Sequence, residues 1–274
     1  MKYESKMMLD AKDLTAVQKV QGTAVEEFMN PQEPCANVVG IASGVKWSDG
    51  KPTGKPALII LVSQKLEESQ LDPEEVIPKE VEGMQTDVLA IGYPYAGECE
   101  PLEAGAQTLA KKARPAKGGY SVGHPRITAG TIATGVYDVL PGGTVSPPAH
   151  GLGIPPKYYI LSNNHVLANN NDASIGDPIL QPGPYDGGTR ADRIGNLSRF
   201  IPITFEPPVP REQHKNLVDA AIAEVQFDDV DRDIYWIGIM RGWRRKANVP
   251  VGTLVKKSGR TTNFTTGRIT AIIV

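Results

Sequence analysis

The chain has 274 residues, 40% of them hydrophobic, and a formal net charge of −2, enough for one large domain or two ordinary ones around a buried core. This near-neutral balance offers no electrostatic footprint for nucleic acid or an anionic membrane, so neither is expected as a partner. Glycine (28) and proline (23) are abundant against 6% aromatic residues, which favours short strands joined by turns over long helices.

Residues 10–29 carry Leu14, Val17, Val20, Val25 and Phe28 among charged positions, close to the spacing of an amphipathic helix. Residues 36–47 read as a strand, Ser48-Asp49-Gly50 as a turn, and the run Ala57-Leu58-Ile59-Ile60-Leu61-Val62 as a buried strand. A short strand over 86–91 completes a small α/β unit that contains no candidate catalytic residue. Cys35 and Cys99 stand in loop-like segments without metal-ligand spacing. They read as two reduced thiols, a single disulfide being the alternative in an exported protein. The first 30 residues are charged throughout, without an apolar h-region, and no later run approaches the roughly 20 apolar residues of a membrane span. No membrane partner is expected; the default location is cytoplasmic, with export left open.

Between Gly97 and Gly119 the chain turns Ala-, Lys- and Gly-rich, the composition of an exposed linker. The expected boundary is therefore near residue 117: residues 1–117 form an N-terminal α/β extension and linker, and residues 118–274 a second domain. There, β-type segments over 128–137, 157–163, 178–181, 193–200, 220–225, 251–256 and 264–274 alternate with Gly, Pro, Asn or Asp, the pattern of a β-barrel or sandwich.

Two residues in this half carry a chemical signature. His165 follows the strand-like run Tyr158-Tyr159-Ile160-Leu161-Ser162 and the polar pair Asn163-Asn164, so its imidazole emerges where a strand meets a loop. That is where a general base must be held, reachable by substrate yet oriented by a rigid element. The strand before it is expected to bury Tyr159 and Leu161. Asp219 precedes the small apolar run Ala220-Ala221-Ile222-Ala223; a carboxylate so flanked is partly buried and needs a partner. An imidazole N–H is such a partner, and the bond fixes the tautomer that leaves the other ring nitrogen free to take a proton. Order and context together make His165 and Asp219 two thirds of a Ser-His-Asp triad. Gly119-Tyr120-Ser121-Val122-Gly123 matches the G-x-S-x-G elbow, but its flanks and chain order are wrong for that motif. Ser258 sits in a glycine turn, Ser258-Gly259, and is the other serine considered as nucleophile. His124, His150 and His214 lack ligand spacing, and the four aspartates within 228–233 lack the glycine and glutamate of a calcium loop, so no metal and no cofactor are expected.

The stretch from Gly118 to Val274 resembles trypsin-like serine peptidases of a bacterial branch related to the plant narrow-leaf-type proteins. The resemblance is carried by Ile127-Thr128-Ala129-Gly130-Thr131, Leu161-Ser162-Asn163-Asn164-His165-Val166-Leu167-Ala168, Gly176-Asp177, Leu180-Gln181-Pro182-Gly183, Asp186-Gly187-Gly188, residues 216–223 and Lys257-Ser258-Gly259-Arg260-Thr261-Thr262. Residues 37–92 look like the extension that precedes the peptidase domain in those relatives. The resemblance implies a mainly β chain: a chymotrypsin-type double β-barrel preceded by a small α/β domain. In it His165 matches the general base and Asp219 the orienting acid.

The family's nucleophile lies in a Gly-Asp-Ser-Gly segment, and these 274 residues contain none. The second barrel is therefore expected to be incomplete, truncated before its serine, and this chain alone to be inactive. The functional expectation is a serine endopeptidase acting on peptide or protein substrates. The alternative is a degenerate, non-catalytic scaffold that binds peptide or protein without cutting. The apolar ending Arg268-Ile269-Thr270-Ala271-Ile272-Ile273-Val274 is expected to leave an uncovered strand edge, open to self-association or to a complementing fragment.

Overall fold

The computed structural model describes residues 5–30, 32, 35, 37–73, 75–93, 109–138, 157–210, 213–245 and 248–272. The chain is mainly β, 38% strand and 17% helix among the described residues, with an N-terminal helix ahead of the strands. The described strands form several sheets, none of them a closed barrel. Two compact units divide it: Met1–Tyr95 with Trp243–Val255 and Thr266–Val274, and Ala96–Gly242 with Lys256–Thr265. Among the described residues no helix is long and apolar enough to cross a membrane.

The first unit opens with helix α1 (Ala11–Phe28), capped where the Asp10 carboxylate accepts the Asp13 N–H at 2.7 Å. Its buried stripe is Val17, Val20, Ala24 and Phe28, while Val25 is exposed. The helical period favours the small Ala24, one turn from both Val20 and Phe28, over its bulkier neighbour. Strands β1 (Val38–Ser48) and β2 (Lys51–Val62) form an antiparallel hairpin around Asp49-Gly50, both with positive φ, as a tight two-residue turn requires. Strand β3 (Glu80–Val81) pairs with β4 (Met84–Ala90), which lies parallel to β2. Both faces of the second half of β2 are buried: Leu58, Ile60 and Val62 pack with the α1 stripe, and Ala57, Ile59 and Leu61 pack with Ala42 on the other side. Hence this run is continuously apolar rather than alternating. Cys35 is half-buried beside the α1 cluster, where burial, then Glu75 and Glu27, push its thiol up. Cys99 lies outside the described residues.

The second unit contains β5 (Ala116–Gly118), β6 (Ser121–Val122), β7 (Gly130–Thr131), β8 (Thr134–Tyr137), β9 (Tyr158–Ser162), the single turn α2 (Asn164–Leu167), β10 (Pro178–Leu180), β11 (Arg193–Phe200), β12 (Ala221–Val225), β13 (Val230–Ile234) and β14 (Gly238–Ile239). Its principal sheet has the order β10-β11-β12-β9-β8, all antiparallel. The inward residues Ile160, Ile179, Ile194, Leu197, Ala221, Ala223 and Val225 share one core with Val166 and Leu167 of α2. In β9 it is Ile160 that enters this core. Tyr159 is buried on the other face, donating to Asp138 at 3.0 Å with the Arg199 guanidinium 5.4 Å above its ring, and Leu161 is only half-buried. An unbroken apolar run hides which face is which, because both faces are covered. The aspartate-rich segment 228–233 runs into β13, where Asp231 and Asp233 pair with Lys117 at 3.3 and 3.2 Å.

Strands β15 (Leu254–Gly259) and β16 (Asn263–Arg268) form a hairpin. The chain then returns to the first sheet as β17 (Ala271–Ile272), which pairs with β1 through Ser43↔Ile272 and Gly44↔Ala271. Of the apolar ending expected to be uncovered, Ala271 and Ile272 are thus paired on one side, with Ile272 against Leu9, Val45 and Val251; Ile273 and Val274 lie outside the described residues. Among the described residues β17 is one of the two edge strands of its sheet.

Candidate active site

His165 and Asp219 come together because β9 and β12 run antiparallel with Ser162 opposite Ala221. The residues leaving the end of β9 therefore face those entering β12. Just beyond Ser162 the chain makes the turn α2, whose first N–H groups have no partner within the helix. Oδ1 of Asp219 accepts two of them, from Asn164 at 2.6 Å and His165 at 3.3 Å. Oδ2 accepts Nδ1 of His165 at 2.5 Å. The two oxygens thus divide the work: one holds the backbone of the turn, the other the ring it carries. Both side chains are about a quarter exposed, 27% for His165 and 26% for Asp219. With the proton on Nδ1, Nε2 is left as the acceptor. Among the described residues no side chain hydrogen-bonds Nε2.

The turn is fixed from beneath. Val166 and Leu167 are buried in the core, and the Val166 carbonyl accepts the His124 N–H at 3.0 Å. Gly130 passes so close that a Cβ there would fall inside the Val166 isopropyl group. On the outer side Asn163 Nδ2 donates to the Asp219 carbonyl at 3.1 Å. The base and its carboxylate therefore stand on a packed platform.

The serines weighed from the sequence are placed elsewhere in the chemistry. Ser121 is fully buried; its Oγ accepts the Gly183 N–H at 2.9 Å and hydrogen-bonds Asp186. Ser258 has a buried Oγ with no hydrogen-bond partner among the described residues, set against Gly119, where a Cβ would lie 2.6 Å from it. Neither hydroxyl bonds His165. Among the described residues no group of three His, Cys, Asp or Glu side chains could hold a metal ion; His150 lies outside them.

Three arrangements in this unit escaped the sequence reading. His124, only 2% exposed, forms a second imidazole–carboxylate pair with Asp177 at 3.2 Å, while its Nδ1 accepts the Arg126 N–H at 3.2 Å. Burial pulls this imidazole below its ordinary range against the opposing pull of Asp177, and Arg126 adds to the lowering. Arg260 meets Asp186 in a bidentate, nearly buried pair and lies 5.0 Å over the Tyr185 ring. Asn164 is completely buried, in a run of side-chain amide bonds with Asn171. The one sequence signal for the last is the run Asn169-Asn170-Asn171, because asparagine tolerates the left-handed backbone that all three adopt.

No curated protein matches the chain. Residues 28–91, within the first unit, match the family model of the NARROW LEAF 1 N-terminal domain. This match links the N-terminal part of the chain to the plant narrow-leaf-type proteins.

Proposed function

We propose that this chain carries the general base and the orienting acid of a trypsin-like serine endopeptidase. The observation that supports the reading most is the double engagement of Asp219, one oxygen on His165 Nδ1 and the other on two backbone N–H groups of the turn that bears His165. In this reading the sheet β10-β11-β12-β9-β8 belongs to the first barrel of a chymotrypsin-type fold whose second barrel is incomplete in these residues. Nε2 of His165 accepts the proton of a serine hydroxyl as its oxygen attacks the scissile carbonyl, and later returns it to the leaving amine. Asp219 holds the imidazole in the productive tautomer and stabilises the imidazolium. The reading requires a serine from polypeptide outside these 274 residues, since no Gly-Asp-Ser-Gly segment occurs within them.

A second reading is a non-catalytic peptide- or protein-binding scaffold, favoured by the absence of a hydroxyl at Nε2 among the described residues. Fluorophosphonate labelling of the native protein purified from its source, followed by intact mass, separates the two. The peptidase reading expects a labelled species that either exceeds 29.5 kDa or carries a bound fragment, and loss of labelling in His165→Ala. Labelling that persists unchanged in that variant overturns the role of His165, and a lone unlabelled species of 29.5 kDa supports the scaffold.

A further inference from the structure

The segment 201–204, between β11 and Asp219, is gripped from two sides by asparagine amides. Oδ1 of Asn171 accepts the Ile203 N–H at 2.9 Å and its Nδ2 donates to the Ile203 carbonyl at 2.7 Å. Asn216 treats the next residue the same way, accepting the Thr204 N–H and donating to the Thr204 carbonyl, both at 2.8 Å. Each amide bonds the backbone N–H and carbonyl of one residue as the peptide group of a neighbouring strand would. Ile201 N–H donates to the Ala220 carbonyl at 2.9 Å, next to Asp219. The segment is thereby tied to the stretch that carries the carboxylate.

Asn164 closes the circuit on the histidine side. Its Nδ2 spends both donors, one on Asn171 Oδ1 at 2.8 Å and one on the Ile201 carbonyl at 2.7 Å, and its Oδ1 accepts the Asn171 N–H at 3.1 Å. The same residue's backbone N–H is the 2.6 Å donor to Asp219. Asn169, Asn170 and Asn171 hold φ of 47°, 56° and 77°, a succession that L residues rarely sustain and that persists where surrounding bonds over-determine it. The Asn164 amide is completely buried with both of its donors satisfied, and a satisfied buried amide rigidifies and specifies a single arrangement.

We propose that Asn164, Asn171 and Asn216 are positioning residues for the His165–Asp219 pair: their amides splint segment 201–204 between the turn that carries the base and the stretch that carries the acid. The role concerns the geometry of the pair and rests on the peptidase reading only for its catalytic consequence. The asparagines themselves touch no reacting atom.

The test uses the full 274-residue chain, labelled with nitrogen-15, and follows the low-field proton resonance of Nδ1–H in His165, assigned by its disappearance in His165→Ala. Asn171→Ala, and separately Asn216→Ala on the exposed side, are expected to broaden or lose this resonance while the rest of the spectrum stays folded. Ile179→Val, which trims the same core without touching the splint, should lower thermal stability and keep the resonance. A resonance that survives both asparagine variants overturns the proposal and leaves the network a purely structural one. Should Asn171→Ala fail to fold, Asn216→Ala decides alone. In the native protein, a splint variant is expected to slow fluorophosphonate labelling by on the order of 10²-fold, the cost of misplacing a catalytic group by about 1 Å. A wild-type protein that shows the resonance but never labels refutes the peptidase reading while leaving the splint intact.

Discussion

Arg260 presents Nε and Nη2 to the two carboxylate oxygens of Asp186, each at 2.6 Å, with the side chains only 9% and 4% exposed. Burial alone would push the Asp186 carboxyl up, but its bonds to Arg260 and Ser121 prevail and hold it below the ordinary range. The Arg260 N–H also donates to Thr131 Oγ1 at 3.1 Å, so the turn between β15 and β16 is anchored to β7. Removing one partner of a buried pair strands the other charge, at a cost of about 3–5 kcal/mol. Arg260→Met is expected to lose stability on that scale in urea denaturation, and the double variant Arg260→Met with Asp186→Leu to recover most of it. A loss below about 1 kcal/mol, typical of exposed pairs, would show the pair to be solvated.

The buried imidazole of His124 gives the second unit an acid-sensitive point. Its folded pKa lies below the unfolded value because burial disfavours the cation, despite Asp177. The unfolded chain therefore binds more protons between the folded value and about 6.5, and stability in that window rises with pH. Acidification through about pH 6.5 should lower the melting temperature. His124→Gln, which keeps a donor for Asp177, should flatten the dependence between about pH 5 and 7. Asp177 itself is held low, first by the Ser174 N–H and then by His124, so its stabilisation is lost only as pH falls below about 4. Identical pH profiles for His124→Gln and wild type would remove His124 as the source.

What the sequence made legible follows from which signals are local. The run Ala57–Val62 and the stretch Arg193–Phe200 stand out by composition; β11 is where composition places it, and β2 contains the apolar run but begins earlier, at Lys51. His165 and Asp219 could be singled out because each sits at a strand end, where side-chain direction changes abruptly. The partners of Asp186 and His124 were illegible for the opposite reason: Arg260 and Asp177 lie 74 and 53 residues away, and nothing local tells a buried ionic partner from a solvated one. Strand β13 was hidden by its aspartates, whose charge reads as loop until Lys117 arrives from β5. Val25 misled for a simpler cause, since apolar character says less than phase about which side of a helix is covered.

Gly130 sets the height of the platform under His165. A methyl group there would overlap Val166, and overpacking of a filled core costs about 1–3 kcal/mol. Gly130→Ala is therefore expected to destabilise the second unit on that scale. Val166→Ala opens space at the same point, and the double variant should be more stable than the sum of the two single losses. Strict additivity in a double-mutant cycle would mean that the two residues do not limit each other.

Asp219→Asn tests the division of labour between the two carboxylate oxygens. The N–H groups of Asn164 and His165 both require an acceptor at the Oδ1 position, so the amide oxygen must take that place. The amide NH2 then faces Nδ1 of His165, which has to become an acceptor and move its proton to Nε2. The base is thereby blocked with little change in geometry, and wrong-tautomer substitutions of this kind cost on the order of 10⁴ in rate. Nitrogen-15 shifts of the ring in the 274-residue chain should report the switch from the Nδ1–H to the Nε2–H tautomer. In the native protein the same substitution should nearly abolish fluorophosphonate labelling. A ring that keeps its Nδ1 proton, or labelling within about tenfold of wild type, would show that the backbone N–H groups do not dictate which way the amide turns.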